Sequence, residues 1–184
     1  TALQAVPKAP PPPILERIPP QCEPDAVWIK GYWEYDPDDD EFDWVSGTWR
    51  REPRGRVWID GFWVEFDEGW IRVHGFWSDV PQDRLVYIDE PPPDPMDEEV
   101  PDAPGDDYFW LAGHAAYDYG RRVYVQYSGH WEPMDPNLVL TPAHFEWQPD
   151  GYVFVSAFWD FALERRGCAY KSIRVQPTAL ANIM

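Results

Sequence analysis

The chain has 184 residues, enough for one domain or two small ones. Its 22 prolines and 12 glycines argue against long helices, whereas 12 Trp, 10 Tyr and 9 Phe supply a sizeable core, each ring burying roughly 150–250 Å². A net charge of −18 excludes the basic surface that nucleic acid needs and disfavours anionic lipid, leaving cationic partners, basic protein surfaces or divalent metal.

No apolar run approaches the roughly 20 residues of a membrane helix. A start at Thr1 rather than Met points to a removed leader or to a piece of a longer protein. Residues 1–25 are proline-rich and predict an extended or polyproline II arm that lies on the surface or reaches a neighbour. The two cysteines, Cys22 and Cys168, leave two readings open. They form one disulfide that fastens the arm to the end of the fold, as a secreted protein allows, or they are two small buried thiols.

From residue 26 a Trp-x-x-Gly-x-Trp frame recurs: Trp28-Gly31-Trp33, Trp44-Gly47-Trp49 and Trp58-Gly61-Trp63, with a weaker copy ending at Gly75 and Trp77. Aromatic and β-branched residues surround each frame, and turn residues separate them, which predicts an antiparallel β-meander. Trp at i and i+5 is an odd separation, so a flat strand would place the two rings on opposite faces. Either the Gly ends a tight hairpin turn, pairing Trp58 with Trp63 across it, or it marks a bulge in one bent strand.

Residues 89–107 hold prolines and carboxylates with little apolar content and read as a linker or a surface-hugging loop. After them the first set returns in degraded form. The slots Gly31, Gly47, Gly61 and Gly75 are refilled 82 residues later by Gly113, Gly129, Ala143 and Ala157. At that offset identical pairs run from Asp25/Asp107 through Trp28/Trp110, Trp49/Trp131 and Trp77/Trp159 to Arg84/Arg166. The chain is thus an internal duplication of a four-repeat unit, and its frame tryptophans, Trp159 included, are expected to be packing residues. A type I′ turn needs a positive φ that Ala resists, so Ala143 and Ala157 favour one bent strand per repeat. The predicted fold is all-β, an antiparallel meander of bent strands in two four-strand units, sandwich- or barrel-like, with "RLVYI" and "CAYKSIRV" as closing strands. The predicted layout is an arm over 1–25, β units over 26–88 and 108–176 joined by the linker 89–107, and a tail over 177–184.

Few residues suggest chemistry. His114, His130 and His144 follow the Gly/Ala slot in consecutive repeats and could hold a transition metal. The plainer account is that this slot takes a ring and His suffices, since aromatics fill it elsewhere. Asp36, Asp38 and Asp40 have the one-three-five spacing of a calcium loop, but Glu41 stands where that loop needs Gly, and an ordinary acidic turn fits better. Trp faces near carboxylates suit a glycan, yet Trp at a repeat-defining position is usually packing. Arg165 and Arg166 form a basic break that could meet an acidic loop. No nucleophile elbow, metalloprotease helix, phosphate loop or Cys-x-x-Cys occurs, so no catalytic residue and no cofactor is assigned.

The copies "WIKGYW", "WVSGTW" and "WIDGFW" resemble the WXXGXW (YXWXXGXW) repeat proteins of bacteria, well over residues 28–77 and loosely over 110–167. The segment "GYVFVSAFWDFALERRG" resembles a block that follows such repeats in larger exported bacterial proteins. The resemblance implies an exported protein of the periplasm, outer envelope or cell surface, without assigned catalytic residues. The chain departs from that pattern by placing Lys30, Ser46, Asp60 and His74 where Pro is common before Gly. The expectation is a non-enzymatic structural subunit of a larger envelope assembly, its partners other protein subunits or further copies of itself. A glycan- or Ca²⁺-binding module is the alternative.

Overall fold

The structure is a computed structural model, described for residues 5–67, 69–168 and 174–175. Its first hairpin runs out through β1 (Ala26–Ile29) and β2 (Tyr32–Asp36) and back through β3 (Glu41–Val45) and β4 (Thr48–Arg51). β2 pairs with β3 around the acidic turn, and β1 pairs with β4 further from it. Both legs of this hairpin break at one level, at Lys30-Gly31 and at Ser46-Gly47. Each Trp-x-x-Gly-x-Trp copy is therefore one bent strand, with its Gly at the bend.

Three more hairpins repeat the plan. The second comprises β5 (Val57–Ile59), β6 (Phe62–Phe66), β7 (Gly69–Val73) and β8 (Phe76–Ser78), with β6 on β7 and β5 on β8. The third comprises β9 (Tyr108–Leu111), β10 (His114–Asp118), β11 (Val123–Tyr127) and β12 (His130–Pro133). The fourth comprises β13 (Leu138–Thr141), β14 (His144–Gln148), β15 (Gly151–Val155) and β16 (Phe158–Phe161). The chain is all-β and antiparallel, in two similar units of four bent strands. The expected meander is a series of ribbons, because among the described residues strand pairing stays within each hairpin apart from β17 (Arg174–Val175), which joins the outer edge of β3.

The odd Trp spacing is resolved by the break, which resets the alternation of side chains along the strand. Across the first hairpin Trp28 faces Trp49 and Trp33 faces Trp44. Both pairs meet edge to face, at 5.5 Å and 67° and at 5.1 Å and 73°. Trp110 and Trp131 repeat the first pair at 5.5 Å and 68°. Such contacts contribute roughly 0.5–1.5 kcal/mol beyond the area they bury. The hairpin-turn alternative, with Trp58 against Trp63, does not occur; Trp63 faces Arg72.

The frame glycines are not needed for a positive φ, which occurs instead at Gly55, Gly151 and Gly167. They are needed for room. A Cβ on Gly31 would lie 2.6 Å from both Trp44 Cζ2 and the Val45 carbonyl oxygen, and one on Gly47 would collide with Trp28. In the first hairpin the first Trp of each strand thus lies on the Gly of the other.

Two expectations are corrected. "RLVYI" is not a strand: Gln82–Arg84 form a short 3₁₀ turn, and Ile88 makes a single antiparallel bridge to Tyr152. Trp159, half-buried like Trp28, Trp49, Trp110 and Trp131, does not face a Trp across its own hairpin. The residue facing it across the fourth hairpin is Leu140, which cannot offer a ring edge or face. Trp159 instead meets Phe109 of the third hairpin edge to face, at 6.2 Å and 89°, so it joins two hairpins rather than the two legs of one.

The expected division into 26–88, 89–107 and 108–176 also shifts. One compact unit takes the chain up to Glu52, Trp58–Phe76 and the residues from Arg166 on; the other takes Pro53–Val57 and Trp77–Arg165. Residues 89–107 belong to the second unit, because their side chains and carbonyls bond to its hairpins. From Arg166 the chain returns to the first unit, where Arg51 N–H donates to the Arg166 carbonyl at 2.7 Å. Most of "CAYKSIRV" and the tail 177–184 lie outside the described residues.

In the first unit Val6, Trp33, Phe42 and Trp44 are buried together, with Ile14, Tyr35 and Trp63 packed on them. Phe42 and Trp63 meet edge to face at 5.4 Å, and Trp63 donates its indole N–H to the Trp33 carbonyl at 2.8 Å, so side chains carry the contact between the first two hairpins. In the second unit Ile88, Leu111, Val153, Val155 and Phe158 are buried.

Candidate functional site

A strand that breaks in mid-ladder leaves amide N–H groups without a cross-strand carbonyl, and a buried donor must find another acceptor. At the first hairpin that acceptor is Glu16, from the proline-rich arm. Gly31 N–H donates to its Oε2 at 3.0 Å, Gly47 N–H to its Oε1 at 2.8 Å, and the indole of Trp44 to the same Oε1 at 3.0 Å. A carboxylate offers about four lone-pair sites, so one residue caps both broken legs at once. Hydrogen bonds to an ionised acceptor are about twice as strong as neutral ones.

The arm supplies further acceptors on either side. Trp33 donates its indole N–H to the Pro12 carbonyl at 2.9 Å and Trp49 to the Pro19 carbonyl at 3.0 Å. Proline has a carbonyl and no N–H, and an indole has an N–H and no acceptor, so a proline-rich strand and a row of tryptophans are complementary. At the start of the arm, Val6 and Trp70 exchange backbone hydrogen bonds at 2.7 Å.

The second unit repeats this with its own arm. Gly113 N–H donates to Glu98 Oε2 at 2.8 Å, and Gly129 N–H to Glu98 Oε1 at 2.9 Å. Trp131 donates to the Pro101 carbonyl at 3.2 Å, and Ile88 exchanges backbone bonds with Tyr152 at 2.8 Å. Each partner lies 82 residues after its counterpart in the first unit. The duplicated module therefore includes the arm, and the "linker" 89–107 is the arm of the second copy. Neither Glu16 nor Glu98 was singled out by composition. The signal was present in Pro10/Pro92, Pro11/Pro93, Pro13/Pro95, Glu16/Glu98 and Pro19/Pro101, which the same offset aligns upstream of Asp25/Asp107.

The tie between Cys22 and Cys168 is a disulfide, so the end of the first arm is held to the returning C-terminal segment. Arg51 adds charge at the same place, 2.6 Å from Glu23 and 3.3 Å from Asp25. Closing a loop across the 146 residues that separate the two cysteines removes about 5 kcal/mol of unfolded-state entropy. Reduction is expected to lower the thermal midpoint of the first unit, read by circular dichroism with and without reductant; an unchanged midpoint would contradict this.

The histidines have separate partners. His114 stacks on Tyr127 at 5.6 Å, and His130 Nε2 lies 2.8 Å from Glu132. His144 Nδ1 lies 2.8 Å from the Pro142 carbonyl and its Nε2 lies 3.1 Å from Glu146. Asp38 N–H donates to Asp36 Oδ1 at 3.0 Å, while Asp40 accepts from Tyr35 at 2.5 Å and pairs with Lys8 at 3.4 Å. Among the described residues no three His, Cys, Asp or Glu side chains gather as a metal would need. The Asp residues belong instead to the tip of the first hairpin. The Tyr35 hydroxyl, and then Lys8, hold the Asp40 carboxyl below its usual range.

Glu146, and to a lesser degree the Pro142 carbonyl, favours the charged form of His144 and raises its pKa against the opposing effect of burial. A raised folded-state pKa means that this pair stabilises fully below the unfolded value of about 6.5 and is lost as pH rises through the folded one. An NMR titration of the His144 ring is expected to give a midpoint above that of a free histidine, moving down in Glu146→Gln. An unshifted midpoint in both proteins would refute the pairing.

The family model of the WXXGXW repeat matches residues 27–50, in two copies. No curated protein and no solved structure matches the chain. The matched residues coincide with the first hairpin, and the chain therefore carries WXXGXW repeats, each copy one bent strand with its Gly at the break.

Proposed function

We propose that the chain is a non-catalytic structural subunit of the bacterial cell envelope or surface, built to be one part of a larger assembly. The WXXGXW repeat points to a cell-surface repeat protein. The Cys22–Cys168 disulfide suits an oxidising compartment. No helix among the described residues is long and apolar enough to cross a membrane.

The observation that carries the reading is the use made of the frame tryptophans. Trp33, Trp44, Trp49, Trp63 and Trp131 spend their indole N–H groups on Pro12, Glu16, Pro19, Trp33 and Pro101 of the same chain. A glycan platform needs open ring faces with polar groups free at their rim. Here the rings pack edge to face, and Trp33 and Trp44 are 6% and 3% exposed. Ribbons of two strands also leave outer edges suited to strand addition by a neighbouring subunit.

Two measurements test the reading. Fractionation of the source cells is expected to place the chain in the envelope with co-purifying protein subunits. Its tryptophan emission is expected to be blue-shifted and indifferent to polysaccharides and Ca²⁺. A red-shifted emission quenched by polysaccharide would overturn it.

A further inference from the structure

We propose that each two-hairpin unit is a recognition site for an extended Glu-x-x-Pro segment, and that such a segment from a second copy of the chain is a ligand it accepts in trans. The proposal deepens the assembly reading above by naming the contact, and it rests on that reading only for its purpose.

Two equivalent cradles are filled by two different sequences within the same molecule. In the first unit the occupant reads Leu15-Glu16-Arg17-Ile18-Pro19; in the second it reads Asp97-Glu98-Glu99-Val100-Pro101. Only the Glu and the Pro three residues later are shared, and those are the two points held. The carboxylate takes both Gly amides of the strand break, and the Pro carbonyl takes the indole N–H of Trp49 or Trp131. The residues between are not read. Arg17 and Glu99 are exposed, and Ile18 and Val100 are about half exposed, at 53% and 51%.

Recognition of this kind needs no induced geometry in the ligand. An extended proline-rich segment has little conformational entropy to lose, and its carbonyls are already solvent-facing acceptors. The receptor supplies preset donors: two backbone N–H groups fixed by the ladder on either side of the break, and an indole fixed by its edge contact with the facing Trp. The two sites are unequal. Trp33 and Trp44, which bond to the first arm, are replaced in the second unit by Ala115 and Gln126, so the first cradle offers two indole donors that the second lacks. A copy of the chain carries two ligand segments and two receptors, which is the composition an arm-exchanged assembly requires.

The test uses the full chain with a protease site placed between Pro20 and Gln21 and cut only after folding, so that no variant has to fold without its arm. The cut chain is incubated with a fluorescently labelled synthetic peptide of residues 5–20 and separated from free label. The proposal expects the peptide to replace the cut arm at one per chain. It expects incorporation at least roughly tenfold lower for the same peptide carrying Glu16→Ala, since a charge-assisted bond to two amides is lost. A peptide of residues 87–102 should also enter, more weakly. Failure of the native peptide to enter the cut chain, or equal entry of the Glu16→Ala peptide, would overturn the proposal. Neither result touches the envelope location, which fractionation tests separately.

Discussion

Glu16→Ala is expected to destabilise the first unit by roughly 3 kcal/mol, the cost of leaving two part-buried backbone donors and one indole donor without their acceptor. Gly31 N–H, Gly47 N–H and Trp44 Nε1–H all converge on this one carboxylate. Glu98→Ala removes the acceptor of two amides and no indole, because Gln126 stands where the first unit has Trp44, and should cost roughly 2 kcal/mol. Glu16→Gln keeps an acceptor oxygen but turns an amide N–H₂ toward one of the Gly donors, so an intermediate loss is expected. Urea unfolding followed by near-ultraviolet circular dichroism reads all three. The order Glu16→Ala, Glu16→Gln, wild type in rising stability is the specific expectation, and equal stability of wild type and Glu16→Ala would contradict it.

Gly75→Ala is expected to cost roughly 3 kcal/mol, and Trp58→Leu in the same chain to return part of that loss. A Cβ at Gly75 would overlap the Trp58 ring and stand 2.7 Å from the Ile59 carbonyl oxygen, so the ring must leave its place on the strand break. The second unit already contains the compensated pair. At the offset of 82, Trp58 becomes Leu140 and Gly75 becomes Ala157; likewise Gly61 becomes Ala143 where Arg72 becomes Phe154. Each of Gly31, Gly47, Gly75 and Gly129 lies under a Trp ring of the facing strand, from Trp44, Trp28, Trp58 and Trp110 respectively. Where Ala stands, the facing frame slot holds no Trp. A double-mutant cycle of Gly75→Ala and Trp58→Leu should therefore show a favourable coupling of about 1 kcal/mol or more. Strict additivity would mean that ring and glycine do not constrain one another.

These two results bear on what could be read in the amino-acid order alone. The repeat, its duplication and its all-β character were legible because Trp is rare and the spacing of Gly31, Gly47, Gly61 and Gly75 recurs unchanged in Gly113, Gly129, Ala143 and Ala157. The alanines correctly excluded a glycine-dependent turn at the frame. They did not show why glycine is used at Gly31, Gly47, Gly75 and Gly129, because that reason is the cross-strand distance to a ring, and register is not visible in one strand. The same blindness to register hid the setting of Trp159, whose identity with Trp77 at the offset says nothing of Leu140 across the ladder. Ile88 was misplaced in a strand for a related cause. A short apolar run looks the same whether it forms a ladder or a single bridge, and here the proline-rich segment that follows cannot supply the donors a ladder needs.

The arm was the larger omission. Prolines and carboxylates read as solvent-facing when counted, and residues 89–107 contain little else. What composition hides is that a carbonyl without a neighbouring N–H, and a carboxylate with two free oxygens, are the acceptors that broken strands and indoles lack. The histidines illustrate the converse. Although they fill equivalent slots in neighbouring repeats, His114, His130 and His144 each turn to a partner on their own hairpin: Tyr127, Glu132 and Glu146.

Amide hydrogen exchange at the strand breaks tests most directly the claim that glutamates from the two arms hold the bent repeats. In the native protein the N–H groups of Gly31, Gly47, Gly113 and Gly129 should be protected although none of them sits within a strand ladder. In Glu16→Ala the first two should exchange at least roughly a hundredfold faster, while Gly113 and Gly129 and the amides of the β2–β3 ladder keep their protection. Rapid exchange of all four in the native protein, or protection of Gly31 and Gly47 that survives the loss of Glu16, would contradict it.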